Sequence, residues 1–441
     1  MNLRNQIIRP ELVWTGSRFE RDLSIFVNAD GQIGQVSAAR SQATADAVDM
    51  RRRALLPGFV NAHSHAFQIG LRAQQQRFDS GTGNFWSWRE TMYRLVDSLD
   101  ADRIFDLSRQ AFREMLRAGI TSVGEFHYLH HPEPHTTVAE SARWAFDTAI
   151  IAAAREAGIR LVFIQTYYAT GNVGHPLEGA QRRFGPISRD AFVQQLEQLA
   201  GTLDGKSQSL ALACHSVRAV SIEDLQFFRD MAHSNHWPFH IHVEEVRKEI
   251  DDCRNALGKG PMRVLLDELR IDERVTAIHC THATQDDLTE WIARGASICL
   301  CPITEGNLSD GFGDVPHMVA RGANLCFGTD CNIRLAVPEE MRMLEFGQRL
   351  RNEQRGIVVD TSGECGPSLL RLATVNGAHS LGLACGAIEA GRCADFLAIN
   401  LDHLHLRDTS DDALCDAFIF GCGSEVIDGV WVGGEYISGG S

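Results

Sequence analysis

The central part of the chain alternates short apolar runs with stretches of helical periodicity. Eight strand-like apolar runs occur, at 54–63, 122–128, 160–168, 209–217, 239–245, 274–282, 296–303 and 324–330. Between them, stretches such as 102–117 and 139–157 repeat apolar residues about every 3.6 positions and are followed by a glycine. Apolar strands that alternate with amphipathic helices are typical of a parallel sheet covered on both faces. Eight such units predict an α/β protein with a (β/α)8 TIM barrel.

An open, doubly wound sheet is the alternative fold. That fold commonly carries a glycine-rich phosphate-binding turn after its first strand. The stretch that follows residue 63 has no such turn, so the barrel is favoured.

The two ends of the chain have a different pattern of apolar and turn residues. Residues 12–16 and 24–27 are short apolar runs separated by turn residues. The same pattern recurs near the C-terminus, at 396–399 and 429–434. We therefore predict that the termini pair into one small β-sandwich domain, residues 1–56 plus 382–441. The catalytic barrel then occupies residues 57–381.

Composition limits the classes of partner. The 441 residues are 44% apolar, carry a net charge of −15 and contain no long basic run, which argues against nucleic acid or an anionic membrane as a partner. No stretch of about 20 apolar residues is present to span a membrane, and the first six residues lack the apolar core of a signal peptide. We therefore expect a cytoplasmic protein that acts on a small molecule.

The twelve cysteines all lie from Cys214 onward, unevenly spaced and mostly within apolar segments. This distribution favours buried, reduced thiols over a disulfide framework or a zinc ribbon.

The first apolar run ends in a metal-binding pattern. His63 and His65 are separated by one residue, and because side chains alternate along a strand, both imidazoles leave the same face. Two histidines so placed can bind one ion, although a chance His-x-His is not rare in a chain with 18 histidines. Their meaning therefore depends on the rest of the chain.

In a (β/α)8 barrel the chemistry lies at the C-terminal ends of the strands. Metal-binding or polar residues end most of the predicted strands: His63 and His65, Tyr128, His215 with Arg218, His242 with Glu245, His279, and Asp330. The sequence thus predicts one site at this end of the barrel.

We predict that this site holds one divalent metal ion, zinc, through His63, His65, His242 and Asp330. His240 is the alternative to His242, but it lies two residues deeper in the strand and is assigned to the core. A site with two metals commonly needs a bridging lysine. The three lysines, Lys206, Lys248 and Lys259, all lie away from predicted strand ends, so one metal is favoured.

A carboxylate beside the metal can act as the general acid and base. Glu245 follows His242 by three residues and is assigned this role, whereas Glu244 would point to the opposite side of the strand. His279 is predicted to orient the attacking water or the substrate, and His282 to make a structural hydrogen bond.

With these motifs in place, the chain resembles the amidohydrolase superfamily, in its single-zinc aminohydrolase branch. More specific stretches resemble the family of formiminoglutamate deiminases, namely 61–68, 85–90, 125–131, 215–220, 304–308 and 345–350. The resemblance implies hydrolysis of N-formimino-L-glutamate to N-formyl-L-glutamate and ammonia, a step of histidine degradation, by a homodimer.

The resemblance also implies roles for individual residues. Arg89 and Arg218 would bind the two carboxylates of a small anionic amidine substrate, a task suited to guanidinium groups. Gln68 and Tyr128 would contact the substrate, and His215 would polarise the reacting group. Asp330 would take a proton from the nucleophilic water, and Glu245 would protonate the departing nitrogen.

One stretch departs from this pattern. Cys331-Asn332-Ile333-Arg334 follows Asp330, where the family leads us to expect a Ser-His pair, and Arg334 is a candidate third cation for a larger anionic substrate. Another aminohydrolase, acting on a related formimino or guanidino acid or an amino-heterocycle, is the alternative activity. A catalytically silent scaffold is the rival from a different class.

Overall fold

The computed structural model describes residues 1–38, 47–72, 74, 76, 78 and 81–438. Eight parallel strands form a nearly closed barrel in the order β13-β12-β11-β10-β9-β8-β7-β6. The barrel strands are β6 (Phe59–Ser64), β7 (Ile120–His127), β8 (Arg160–Tyr167), β9 (Gln208–Ser216), β10 (Phe239–Val243), β11 (Val275–His279), β12 (Ser297–Leu300) and β13 (Asn324–Phe327). Each overlaps one predicted apolar run, and the predicted barrel is confirmed.

Strands from both termini form one separate sheet. It runs in the order β16-β15-β14-β5-β1-β3-β4, with β2 paired to β1. Its strands are β1 (Gln6–Trp14), β2 (Phe19–Glu20), β3 (Leu23–Val27), β4 (Ile33–Ala38), β5 (Val48–Pro57), β14 (Phe396–Asn400), β15 (Ile427–Val432) and β16 (Glu435–Ser438). The predicted domain boundaries, 1–56 plus 382–441 around 57–381, stay a prediction, and residues 39–46 and 439–441 lie outside the described residues.

Helices lie between successive barrel strands, after the last barrel strand, and between β14 and β15 of the terminal sheet. They are α1 (Phe85–Asp97), α2 (Ala101–Arg117), α3 (Ala145–Ala157), α4 (Arg189–Thr202), α5 (Ile222–Ser234), α6 (Arg247–Leu257), α7 (Pro261–Glu268), α8 (Gln285–Ala293), α9 (Pro302–Leu308), α10 (Val315–Ala320), α11 (Val337–Asn352), α12 (Cys365–Arg371), α13 (Gly377–Ser380) and α14 (Leu414–Gly421). Among the described residues, every helix is too short or too polar to span a membrane.

Local sequence explains where the helices begin and end. Asp100 caps α2 by accepting a hydrogen bond from the backbone of Arg103. The helix predicted over 139–157 begins only at Ala145, because Trp144 takes a left-handed backbone with φ of 61°. It ends as expected at Gly158, whose φ is 81°.

The first predicted strand is in fact two strands. Residues 54–57 belong to β5 of the terminal sheet, and β6 begins at Phe59. The break falls at Gly58, where a Cβ atom would lie only 2.1 Å from Thr121 Oγ1, so a side chain cannot be accommodated. One continuous apolar run therefore serves both sheets.

All twelve cysteines are free, and ten of them are buried. The prediction of reduced, buried thiols is confirmed for those ten, while Cys365 and Cys393 are half-buried.

Candidate active site

Three histidine side chains converge at the C-terminal end of the barrel. β6 carries His63, His65 directly follows that strand, β10 carries His242, and their nearest ring nitrogens all lie within 4.8 Å of one another. Asp330, just beyond β13, places Oδ1 3.5 Å from His63 Nε2 and 3.3 Å from His65 Nε2. The alternation along β6 thus brings both of its histidines to the same side.

The hydrogen bonds of these histidines fit a metal ion. Backbone carbonyls accept from the Nδ1 atoms of His65 (Phe126, 2.8 Å) and His242 (His215, 2.9 Å). Each Nε2 then presents a lone pair toward the cluster. The Nε2 atoms of His63 and His242 are 3.2 Å apart, an arrangement that a cation between them would stabilise.

The protonation states also fit. Burial lowers the pKa of His63 to about 3, against the attraction of Asp330, and it lowers the pKa of His65 and His242 as well. Burial would raise the pKa of Asp330, but the surrounding histidines outweigh it and lower that pKa. Neutral imidazoles and an ionised carboxylate are the forms that bind divalent metals.

His279 lies at the end of β11 beside the cluster. Its Nε2 is 3.7 Å from Glu245 Oε1 and 3.8 Å from Asp330 Oδ2. Its Nδ1 lies 3.3 Å from Glu305 Oε1, which also accepts the backbone N–H of Cys301. Burial would lower the pKa of His279, but Glu245, Glu305 and Asp330 together raise it to about 10.

Glu245 faces the cluster, and its neighbour Glu244 does not. Glu245 is the second residue beyond β10 and lines the cavity described below, whereas Glu244 Oε1 accepts the backbone N–H of Met262 at 3.1 Å. Burial raises the pKa of Glu245 to about 7, with Asp330 adding to the rise and His279 opposing it. A carboxyl with a pKa near 7 can both take and give a proton at neutral pH.

A cavity opens beside these groups, and all predicted site residues except His63 line it. The lining residues are His65, Gln68, Phe85, Trp88, Arg89, Met92, Tyr93, Tyr128, Tyr168, Phe184, His215, Arg218, His242, Glu245, His279 and Asp330. Gln68 Nε2 donates to the Tyr128 hydroxyl at 3.0 Å. Polar groups gathered in an otherwise aromatic cavity are typical of a small-molecule site.

Two arginines supply positive charge to this cavity. Arg218 is buried, and its Nε lies 3.4 Å from Glu249 Oε1. Arg89 comes from α1, with its guanidinium carbon 5.2 Å from the centre of the Tyr93 ring. Burial and the charges of Arg218 and Arg89 lower the pKa of His215 well below its usual value, so both cations act on the same end of the cavity.

Sequence reasoning missed Glu305 and the aromatic wall. Glu305 lies beside the ring of His279, whereas the sequence links the stretch 304–308 only to the family resemblance. The aromatic wall includes Phe85, Trp88, Tyr93, Tyr168 and Phe184. Aromatic residues in helices and loops give no sequence signal that separates a pocket wall from ordinary core.

Three other residues discussed as candidates in the sequence analysis lie away from the cavity. His240 is buried in the barrel, with Nε2 3.1 Å from the carbonyl oxygen of Ser380, and His282 is absent from the lining. Arg334 is exposed and forms an ion pair with Glu339, with 2.5 Å between Arg334 Nη2 and Glu339 Oε1. The expectation that Arg334 adds a third cation to the pocket is wrong, because the helix N-terminus that carries Glu339 holds its side chain outside.

A second group of histidines and a carboxylate lies elsewhere and is closed by hydrogen bonds. Asp147 Oδ1 is 3.0 Å from His127 Nε2 and 2.9 Å from His130 Nδ1. Its other oxygen accepts from the side chains of Gln165 and Gln195. All these groups are buried, and the Asp147 carboxylate, with four donors, is fully hydrogen-bonded by its neighbours.

Comparison with known proteins shows similarity to one enzyme family and to two kinds of deaminase within it. Residues 54–437 match the model of the amidohydrolase family. The formimidoylglutamate deiminase of Pseudomonas aeruginosa is 35% identical over 419 residues, which cover 95% of this chain and 91% of that protein. A 5-methylthioadenosine/S-adenosylhomocysteine deaminase of Natronomonas pharaonis is 28% identical over 87% of this chain and 82% of that protein.

Solved structures show the same architecture. An amidohydrolase from Brucella melitensis superposes with a TM-score of 0.89 at 30% identity, covering 99% of this chain and 95% of that one. An adenosine deaminase from Xanthomonas campestris with bound zinc superposes with a TM-score of 0.80 at 23% identity, over 99% and 93% of the two chains. The latter likeness concerns the fold alone.

Proposed function

The chain belongs to the amidohydrolase family, and from that premise we propose that it hydrolyses N-formimino-L-glutamate to N-formyl-L-glutamate and ammonia with one bound zinc ion. One observation carries this proposal. A histidine and aspartate cluster suited to a metal and two arginines suited to carboxylates line the same cavity. The 35% identity to a formimidoylglutamate deiminase supports the same substrate.

The substrate's charges match those of the cavity. Formiminoglutamate carries two carboxylates at one end and a cationic formamidine at the other. Arg218 and Arg89 offer guanidinium groups for the carboxylates. Glu245 and Asp330, at the metal cluster, offer negative charge to the formamidine. The substrate therefore binds with its reacting carbon at the metal and its carboxylates toward α1 and the end of β9.

The residues divide the chemistry among them. A metal ion held by His63, His65, His242 and Asp330 supplies Lewis acidity and lowers the pKa of a water in the site. Asp330 accepts a proton as water adds to the formimino carbon. His279, whose ring is fixed by Glu305, holds the nucleophile in place.

Glu245 completes the reaction by protonating the departing nitrogen. The carbon–nitrogen bond breaks and ammonia leaves, while the added oxygen gives its remaining proton to the Glu245 carboxylate and stays as the formyl carbonyl. His215, kept neutral by its burial and by the nearby arginines, donates a hydrogen bond at the reacting end of the substrate.

A second candidate function is deamination of an amino-heterocycle. It is suggested by the 28% identity to a 5-methylthioadenosine/S-adenosylhomocysteine deaminase. A nucleoside of that kind carries no carboxylate pair. Two arginines in its pocket would then meet no carboxylate of the substrate, and the buried Arg218 would keep only its contact with Glu249. The formimino acid is therefore the better match.

The arginines provide the test of this proposal. Arg89→Met and Arg218→Met each remove a cation while keeping much of the side-chain length. Losing one partner of a desolvated charge pair costs about 2–5 kcal/mol, so we expect kcat/KM for formiminoglutamate to fall roughly 30-fold or more in each variant. Steady-state ammonia release measures the effect.

Arg334→Met is the matched control, because Arg334 follows Asp330 closely in sequence but lies outside the cavity. Its kcat/KM should stay close to that of the unchanged enzyme. A formamidine substrate without carboxylates should show little difference between the arginine variants and the unchanged enzyme. Unchanged kinetics with formiminoglutamate in both Arg89→Met and Arg218→Met would contradict the proposed substrate.

A further inference from the structure

The metal cluster lies on the seam where the barrel closes. Neighbouring barrel strands are joined by ladders, as β12 and β13 are over four residue pairs. Among the described residues, β6 and the end of β13 meet instead at one isolated bridge, between Ser64 and Asp330. The backbone bonds there run from His65 N to the Asp330 carbonyl and from Thr329 N and Asp330 N to the His63 carbonyl.

Three of the four proposed metal ligands lie on this seam. His63 and His65 come from one side of it, and Asp330 comes from the other. The distance between the two sides therefore sets the distance between imidazole and carboxylate donors. Any group that fixes the seam also fixes the metal site.

A series of hydrogen bonds between buried side chains connects the two sides of the seam. Asn61 Nδ2 donates to Thr329 Oγ1 at 2.6 Å, and Thr329 Oγ1 donates to Asn332 Oδ1 at 2.6 Å. Asn332 Nδ2 then donates to Ser64 Oγ at 3.1 Å. This series of hydrogen bonds begins on β6, passes through the segment that carries Asp330, and returns to β6 at the residue between the two histidines.

Asn332 is the residue whose two ends close this loop. It is fully buried, and its amide uses its oxygen toward Thr329 and its nitrogen toward Ser64. Its backbone is left-handed, with φ of 56°, a conformation that asparagine adopts more readily than most residues. Its carbonyl oxygen also accepts from Arg72 Nε at 2.9 Å. Side chain and backbone together hold it in one orientation.

We propose that Asn332 is a positioning residue for the metal site: by tying Thr329 to Ser64 it holds Asp330 at the distance from His63 and His65 that metal binding requires. This inference rests on the proposed metal site, but it is independent of which amidine is the substrate. It gives a role to the stretch after Asp330 in which the sequence departs from the expected pattern. Supporting groups around metal ligands typically contribute 10- to 100-fold in metal affinity.

The test measures zinc affinity rather than turnover. Asn332→Leu deletes both hydrogen bonds at similar volume, and Asn332→Asp keeps the acceptor for Thr329 but loses the donor to Ser64. The zinc dissociation constant is measured by competition with a chromophoric chelator, and thermal unfolding of the metal-free protein is measured alongside. We expect affinity to fall about 10- to 100-fold in Asn332→Leu, with a smaller loss in Asn332→Asp.

A matched control lies at the N-terminal end of β13, the strand that precedes Asp330 and Asn332. Asn324 Nδ2 donates to Ser297 Oγ at 2.7 Å at the start of β13, so Asn324→Leu removes the same kind of bond far from the metal. Its zinc affinity should equal that of the unchanged protein. Ser64→Ala removes the acceptor for Asn332 together with the hydrogen bond between Ser64 and Glu125, and it replaces Asn332→Leu as the test if the latter fails to fold.

The outcomes separate positioning from general packing. Weaker zinc binding in the Asn332 and Ser64 variants, with Asn324→Leu unchanged, supports the proposal. Zinc affinity within about twofold of the unchanged protein in folded Asn332→Leu, or an equal loss in Asn324→Leu, overturns it. Because zinc binding is read without substrate, failure of the deiminase proposal would show up in turnover and leave this result standing.

Discussion

His279 and Asp330 reach the site from left-handed backbone, with φ of 74° and 46°. Cys280 and Glu244, beside the site residues, also have positive φ, both 53°. Such conformations cost of order 1–3 kcal/mol each in residues other than glycine and persist where the surrounding structure imposes them. Here they turn side chains at the ends of the barrel strands inward, over the cavity.

Glu245 is the residue on which the proposed proton transfers depend. Glu245→Gln keeps the size of the side chain but removes the proton carrier, so kcat should fall by about 10²- to 10⁴-fold. Metal content and thermal unfolding should stay near those of the unchanged protein, because Glu245 is not a proposed metal ligand. Steady-state kinetics and metal analysis measure both effects.

Glu244→Gln is the control for that variant. Its Oε1 only accepts the backbone N–H of Met262, a bond that glutamine can also accept, so kcat should change little. A Glu245→Gln protein with nearly full kcat would contradict the acid and base assignment. It would also leave open a catalytic role for the neighbouring carboxylate.

For single residues, the sequence predicts which side chains lie at the strand ends better than it predicts which side chains contact each other. His63, His65 and His242 could be found because strand periodicity and strand ends place them on one face. Glu305 could not, because it lies 26 residues beyond His279 on a different element, and only tertiary structure brings the two together. The exposed position of Arg334 could not be predicted for the same reason, since its ion pair with Glu339 depends on where α11 begins.

At the scale of elements, Asp395 joins the barrel to the terminal sheet. Its carboxylate accepts from Arg160 Nε at 2.8 Å, at the start of β8, and from the backbone N–H of Gly433 at 2.7 Å. Its carbonyl oxygen accepts from Gly58, between β5 and β6. Arg160 and Asp395 are both buried, so neither charge can turn to water when its partner is removed.

Asp395→Asn should therefore destabilise the protein strongly. Breaking a buried ion pair costs about 3–5 kcal/mol, and denaturant unfolding monitored by tryptophan fluorescence measures the loss. Asp402→Asn is the control, because Asp402 pairs with Arg52 at the surface, where such pairs contribute about 1 kcal/mol or less. Equal stability of Asp395→Asn and Asp402→Asn would contradict the structural role given to Asp395.

The elements also show where periodicity is informative and where it is not. The eight apolar runs could be predicted because strands buried on both faces are apolar throughout. The division of the first run between two sheets could not, because it depends on the close approach of Thr121 to Gly58. The late start of α3 depends on the backbone of Trp144, and the apolar pattern continues across it.

At the scale of the whole molecule, both ends of the chain build one sheet, and the barrel between them carries the candidate chemistry. The barrel's last strand returns beside its first, so residues more than 260 positions apart meet at Ser64 and Asp330. This closure brings together three of the four proposed metal ligands, and Arg89 and Arg218 add positive charge to the lining of the same cavity.

Ammonia release from N-formimino-L-glutamate by the zinc-loaded protein tests the central claim most directly. A parallel assay with 5-methylthioadenosine, guanidino acids and other formimino acids provides the comparison. We expect kcat/KM of about 10⁴ M⁻¹s⁻¹ or more for formiminoglutamate, within the range of ordinary enzymes, and far lower values for substrates without two carboxylates. Absence of turnover with formiminoglutamate, together with turnover of a nucleoside by the same preparation, would contradict the account.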